Sequence, residues 1–162
     1  MYAVGYVDPS GGVFISIHLE SNDGGATWTK TTTDGEFHKA IVMKDDWQMA
    51  GFTPAGKSLI KTSEDDGTTW SETFTNADCS GLTDIFYLTD QIGFASGYGA
   101  EQFSSANIFK TVNGGKTWQA ILESAPSTSF DEIQFISEEI GFAVSTVYFQ
   151  GSTLGKDISK TT

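Results

Sequence analysis

Two motifs recur along this chain, out of phase with each other, and any fold assigned to it has to accommodate both. The first is an octapeptide, present as Ser21-Asn22-Asp23-Gly24-Gly25-Ala26-Thr27-Trp28, Ser63-Glu64-Asp65-Asp66-Gly67-Thr68-Thr69-Trp70 and Thr111-Val112-Asn113-Gly114-Gly115-Lys116-Thr117-Trp118. The second appears as Met1-Tyr2-Ala3-Val4-Gly5, Trp47-Gln48-Met49-Ala50-Gly51, Gly93-Phe94-Ala95-Ser96-Gly97 and Gly141-Phe142-Ala143-Val144-Ser145. Its last residues stand at 5, 51, 97 and 145, at intervals of 46, 46 and 48. A period of about 40 to 50 residues is that of a four-stranded propeller blade.

Composition agrees with an all-β reading. Glycine is frequent (18) and proline rare (3), while 12 Phe, 5 Tyr and 4 Trp suit short strands joined by tight turns. No stretch keeps a helical apolar spacing without a glycine interrupting it. The chain therefore reads as one β-propeller unit over 1–162, with repeats at approximately 1–36, 37–81, 82–129 and 130–162, the first and last incomplete. Each repeat divides into strands. An apolar first strand (Ala40–Met43, Ile85–Leu88, Ile133–Ile136) is followed by a polar turn and then by the second motif. A third strand leads into the octapeptide, and a fourth begins at its tryptophan. Three, four, four and three strands result, which do not divide into complete four-stranded blades. The expectation is about three and a half blades, either a piece of a larger propeller or a protomer whose open edges another copy closes, since exposed strand edges invite pairing.

As the hairpin between third and fourth strands, the octapeptide has residue types that follow from turn chemistry. An Asp or Asn side chain bonds the amides of its own turn, and glycine supplies positive φ. The threonine hydroxyl caps the same turn. Trp28, Trp70 and Trp118 are expected to plug the core between neighbouring sheets. Asn113 stands where the other copies carry Asp23 and Asp65, and an amide keeps the turn bonds while abandoning acid–base chemistry.

These residues resemble the Asp-box, or bacterial neuraminidase repeat, with its pattern Ser-x-Asp-x-Gly-x-Thr-Trp. Its positions fall here on Ser21, Asp23, Gly25, Thr27 and Trp28, on Ser63, Asp65, Gly67, Thr69 and Trp70, and on Thr111, Asn113, Gly115, Thr117 and Trp118. The fuller unit, best carried by residues 83–118, is similar to repeats of photosystem II assembly/stability factor-like and sortilin-type propellers. The resemblance implies a β-propeller with the box at the blade periphery, away from any active site. It also implies an exported protein, in the periplasm, on the cell surface or secreted. Function does not follow from it, because propellers host enzymes and binding modules alike.

Charge narrows the partners. Nine basic against 21 acidic residues give a net charge of −12, which repels nucleic acid, and no apolar run is long enough to insert into a membrane. All nine basic residues are lysines. A sialidase-like mechanism, as the resemblance implies it, grips the substrate carboxylate with an arginine cluster, and this chain has none. A glycoside hydrolase needing only two carboxylates about 5 to 9.5 Å apart remains the alternative. Its candidates are Asp84, Asp131 and Glu132, which are expected just before first strands, facing the channel. His18 and His38 lack further ligands at zinc spacing, Cys79 is alone, and no calcium loop or phosphate loop is present, so neither metal nor cofactor is expected. The leading expectation is a non-catalytic module that recognises a protein or a glycan. Its surface is expected in the connections between second and third strands, where Tyr6, Tyr98, Phe103, Tyr148 and Phe149 offer aromatic faces.

Overall fold

The structure, a computed structural model, describes residues 2–7, 15–43, 46–76, 78–99, 105–126, 128–149 and 152–160. Fourteen strands follow one another there, and no helix occurs among the described residues. The first blade has β1 (Tyr2–Val7), β2 (Ile15–Glu20) and β3 (Thr29–Asp34). β4 (Glu36–Val42), β5 (Trp47–Phe52), β6 (Ser58–Ser63) and β7 (Ser71–Asn76) form a complete second blade. The third comprises β8 (Cys79–Tyr87), β9 (Gly93–Gly99), β10 (Ser105–Thr111) and β11 (Gln119–Pro126). β12 (Thr128–Phe135), β13 (Gly141–Phe149) and β14 (Ser152–Lys160) make the fourth, whose ladder pairing with the third is the single pair Ser129–Tyr98. All pairings are antiparallel, in the order of the chain within each blade. β1 and β14 do not pair with each other, so the blades form an open array.

The first strands start earlier than their apolar runs. Each gains a polar half, and each carries a β-bulge at its middle: between Phe37 and Lys39, between Leu82 and Asp84, and between Phe130 and Glu132. A bulge inserts one residue and re-aims the chain, so the alternation that marks a strand breaks at that point. The glycine ending the second motif sits opposite the bulge. A Cβ on Gly51 would lie 1.8 Å from the Glu36 carbonyl oxygen, and one on Gly97 would lie 2.1 Å from that of Gly81. Gly5, on an edge strand with no first strand beside it, meets nothing within 4 Å.

Each blade is too thin to hold a core of its own, and the buried clusters lie between blades. Phe37, Met49 and Leu59 of the second blade gather Val4 from the first. Ala50 and Ile60 of the second meet Leu82, Ile85, Ala95 and Phe109 of the third. Phe94 and Ile108 of the third meet Phe130, Ile133 and Phe135 of the fourth, with Phe94 and Phe135 stacked at 3.5 Å between centroids.

Polar clamps reinforce the same junctions. Ser16 Oγ donates to the Gly35 carbonyl and accepts from the Phe37 amide, which fixes the passage from first to second blade. Gln48 donates to the Gly114 carbonyl at 3.0 Å and accepts from the Tyr87 hydroxyl at 2.8 Å, tying second to third.

Candidate functional site

The three octapeptide turns share one hydrogen-bond scheme. In the first, Ser21 Oγ donates to Asp23 Oδ1 and accepts from the Gly25 amide, while the Thr27 amide and hydroxyl both donate to the Asp23 carboxylate. Asp65 with Ser63 and Thr69 repeats it. In the third, Thr111 replaces the serine, and Asn113 accepts from the Thr117 amide through Oδ1 while its Nδ2 donates to Thr117 Oγ1. The glycines at 25, 67 and 115 have φ of 94°, 80° and 85°, the left-handed region that the turn requires. Hydrogen bonds to the ionised form hold Asp23 well below the usual carboxylate range, at about 2, with the Thr27 hydroxyl the largest cause; Asp65 is lowered in the same way by Thr69. Such carboxylates are poor proton donors, and they face their own turns.

These turns also dock onto the preceding blade. A Cβ at Gly67 would meet Trp47 and His18, and one at Gly115 would meet Gln48 and Tyr87, all within 3.0 Å. Each tryptophan donates its indole N–H to the carbonyl of its own turn glycine. Trp70 then packs edge-on to His18 of the first blade at 5.6 Å, and Trp118 lies against Phe74 of the second at 6.3 Å. Trp28 corrects the expectation of three buried plugs: it is 43% exposed.

The first-strand carboxylates lie inside β8 and β12 rather than before them. Asp84 is 3% exposed and fully engaged. Its Oδ1 accepts from the Ile85 amide at 2.9 Å and lies 3.2 Å from Lys39 Nζ of the second blade; its Oδ2 accepts from the Ile133 amide of the fourth at 3.0 Å. One side chain thereby joins three blades, with three of a carboxylate's roughly four acceptor sites in structural contacts. Asp131 is held by Ser129 Oγ at 2.9 Å and by Thr146 Oγ1 at 2.6 Å, one on each oxygen. Glu132 is exposed. Thr83, the bulged residue of β8, donates to the Phe130 carbonyl across the same junction.

At the end of the blades opposite the octapeptide turns, a mixed aromatic and polar group converges. Glu36 is buried and accepts from His38 Nε2 at 3.0 Å; the His38 ring meets Phe52 edge-on at 5.6 Å. Phe52 and the Tyr98 hydroxyl both crowd Gly81, where a Cβ would come within 3.0 Å of each. Burial pushes the Tyr98 phenol up to about 12, with Glu36 and Cys79 adding to it, so the phenol stays protonated near neutrality. Cys79 is buried beneath this group with its thiol raised to about 11, chiefly by burial, which makes it unreactive as a nucleophile.

Of the aromatics expected in the connecting loops, Tyr98 reaches this group, but from strand β9 and not from a loop. Tyr6 and Tyr148–Phe149 likewise belong to β1 and β13, which run further than the sequence suggested; their side chains lie outside the described residues, as does Phe103 altogether. Sequence reasoning missed Glu36, His38 and Phe52. The polar half of β4 read as a connection, and the bulge at His38 breaks the alternation that would have marked its faces.

No protein-family profile matches the chain, and no curated protein matches it. Among solved structures, a Trypanosoma rangeli sialidase in complex with sialic acid is similar over 99% of this chain, with a TM-score of 0.68 and 12% sequence identity. The chain spans 29% of that sialidase's length. At that identity the likeness speaks to architecture and not to chemistry. The chain has the fold of a β-propeller whose blades, among the described residues, do not close into a ring.

Proposed function

We propose that the chain is a non-catalytic β-propeller module that recognises a protein or a glycan at the blade end where Glu36, His38, Phe52 and Tyr98 converge. The observation that carries the non-catalytic part is the engagement of Asp84 and Asp131. Both oxygens of each carboxylate accept structural hydrogen bonds and Asp84 is buried between blades, which favours a positioning role over that of acid, base or nucleophile in glycoside cleavage. Recognition is supported by the neighbouring group. Partly exposed rings with hydrogen-bonding handles suit the apolar faces and hydroxyls of sugars, or the side chains of a peptide.

A glycan array probed with labelled protein, run beside turnover assays on fluorogenic glycosides, tests the reading. Binding without turnover is the expected result, with Tyr98→Phe and His38→Ala weakening it by about tenfold or more at little changed melting temperature. Turnover that survives purification and is lost in Asp131→Asn would overturn it in favour of a hydrolase. An array without signal directs the search to protein ligands through the same two variants.

A further inference from the structure

Asn113 is the one asparagine of this chain that precedes a glycine. In such a pair the unhindered glycine amide can attack the carboxamide before it. The Gly114 nitrogen loses its proton to solvent and bonds Asn113 Cγ, the Cγ–Nδ2 bond breaks, and ammonia leaves; water then opens the cyclic imide to aspartate or isoaspartate. The exchange consumes water and releases ammonia, with no change of oxidation state. In the folded turn both reacting groups are held. Asn113 Oδ1 accepts from the Thr117 amide at 3.0 Å and from Thr111 Oγ1 at 3.0 Å, and its Nδ2 donates to Thr117 Oγ1 at 2.8 Å. The Gly114 amide donates to the Gln91 carbonyl at 2.9 Å, and the Gly114 carbonyl accepts from Gln48 Nε2 of the second blade at 3.0 Å.

Aspartate at this position fits the turn. Asp23 and Asp65 occupy it in the other two copies with the same partners, so conversion costs the third turn no hydrogen bond; Thr117 Oγ1 need only donate where it now accepts. The surroundings are less indifferent to the change. A cavity of about 240 Å³ lies between the second and third blades, with Asp46 and Glu64 lining it from one side and Asp90, Asn113 and Lys116 from the other. Conversion raises its carboxylates from three to four against the single ammonium of Lys116.

We propose that Asn113 is a deamidation site gated by the junction between the second and third blades, and that its reaction leaves a new negative charge in the cavity of that junction. While the junction is closed, the nucleophile is anchored on both sides of Gly114 and the carboxamide is fixed by two threonines, so the imide ring does not form. Local opening releases both groups together. The step is irreversible, so an opening that leads to reaction is recorded as a carboxylate that repels its neighbours once the blades close again. The first two turns already carry aspartate; the third alone can still change.

Mass spectrometry of the intact chain and of its peptides, in mildly alkaline buffer beside a free peptide of residues 111–118, provides the test. Asn113 in the folded chain is expected to react at least about a hundredfold more slowly than in the peptide, because the small open fraction multiplies the rate. Thr117→Val removes the acceptor of Nδ2 at an exposed position and should speed the folded chain by about threefold. Gln48→Met removes the donor to Gly114 at similar side-chain volume and should speed it by about tenfold; Thr117→Val carries the test alone if that variant misfolds. Asn113→Asp should melt with the wild type at about 0.5 M salt and below it at about 0.01 M. Reaction of the folded chain at the peptide's rate overturns the proposal. So do rates that neither variant changes, or an Asn113→Asp chain that melts with the wild type at both salt concentrations.

Discussion

In the third octapeptide turn the last hydrogen bond runs backwards. Where Asp23 and Asp65 accept from a threonine hydroxyl, Asn113 donates to one, and the turn keeps the same shape. A hydroxyl serves as donor or acceptor, so carboxylate and amide are interchangeable at this position. Asp23→Asn is therefore expected to leave the melting temperature nearly unchanged at pH 7. It should remove the acid sensitivity of the turn, because a carboxylate lowered to about 2 stabilises the fold above its ordinary pKa and loses that contribution as pH falls toward 2. Trp70→Ala has a different fate. It opens a cavity between the first two blades and should cost about 3 kcal/mol, measured by denaturant unfolding of both variants. Residue identity in the turn was legible because its chemistry is local. The exposure of Trp28 was not, since it depends on a neighbour that no residue near it encodes.

Among the elements, the first strand diverged most from its sequence signal. A bulge divides each of β4, β8 and β12, and the half before it, which lacks an apolar run, still buries Phe37, Leu82 and Phe130. The glycine of the second motif records the bulge indirectly, through the close approach of the opposing backbone. Gly51→Ala and Gly97→Ala are expected to cost at least about 3 kcal/mol, because the colliding atom in each case is a main-chain carbonyl that cannot turn aside. Gly5→Ala should fall within about 0.5 kcal/mol of wild type. Thermal unfolding of the three variants under one buffer checks the contrast, and equal losses would refute the bulge as the reason for the motif. A motif shared by three repeats thus has one cause in two of them and none in the first, where no strand among the described residues pairs with the other edge of β1.

At the scale of the molecule, stability resides in the junctions between blades, and one junction contains a titrating group. His18 lies between Trp47 and Trp70, at 5.4 and 5.6 Å, and its ring Nδ1 is 3.2 Å from Thr31 Oγ1. Burial lowers its pKa from 6.5, with Glu20 opposing. Below 6.5 the unfolded chain takes up the proton more readily than the folded one, so this contribution is complete above that value and falls as the pH drops beneath it. The melting temperature is expected to decline from about pH 7.5 to about pH 5 more steeply in the wild type than in His18→Phe; parallel profiles would show that the junction does not sense pH. The repeat period, the four-stranded plan, the strand count and the turn chemistry were all determined by the sequence alone, because periodicity and short-range hydrogen bonding are written into neighbouring residues. Tertiary structure alone decided that Asp84 clamps three blades, that Glu36, His38, Phe52 and Tyr98 meet, and that Trp28 is exposed while Trp70 and Trp118 pack against a neighbouring blade. Each of these depends on which blade stands beside which, and a contact between residues some 50 positions apart leaves no local pattern to read.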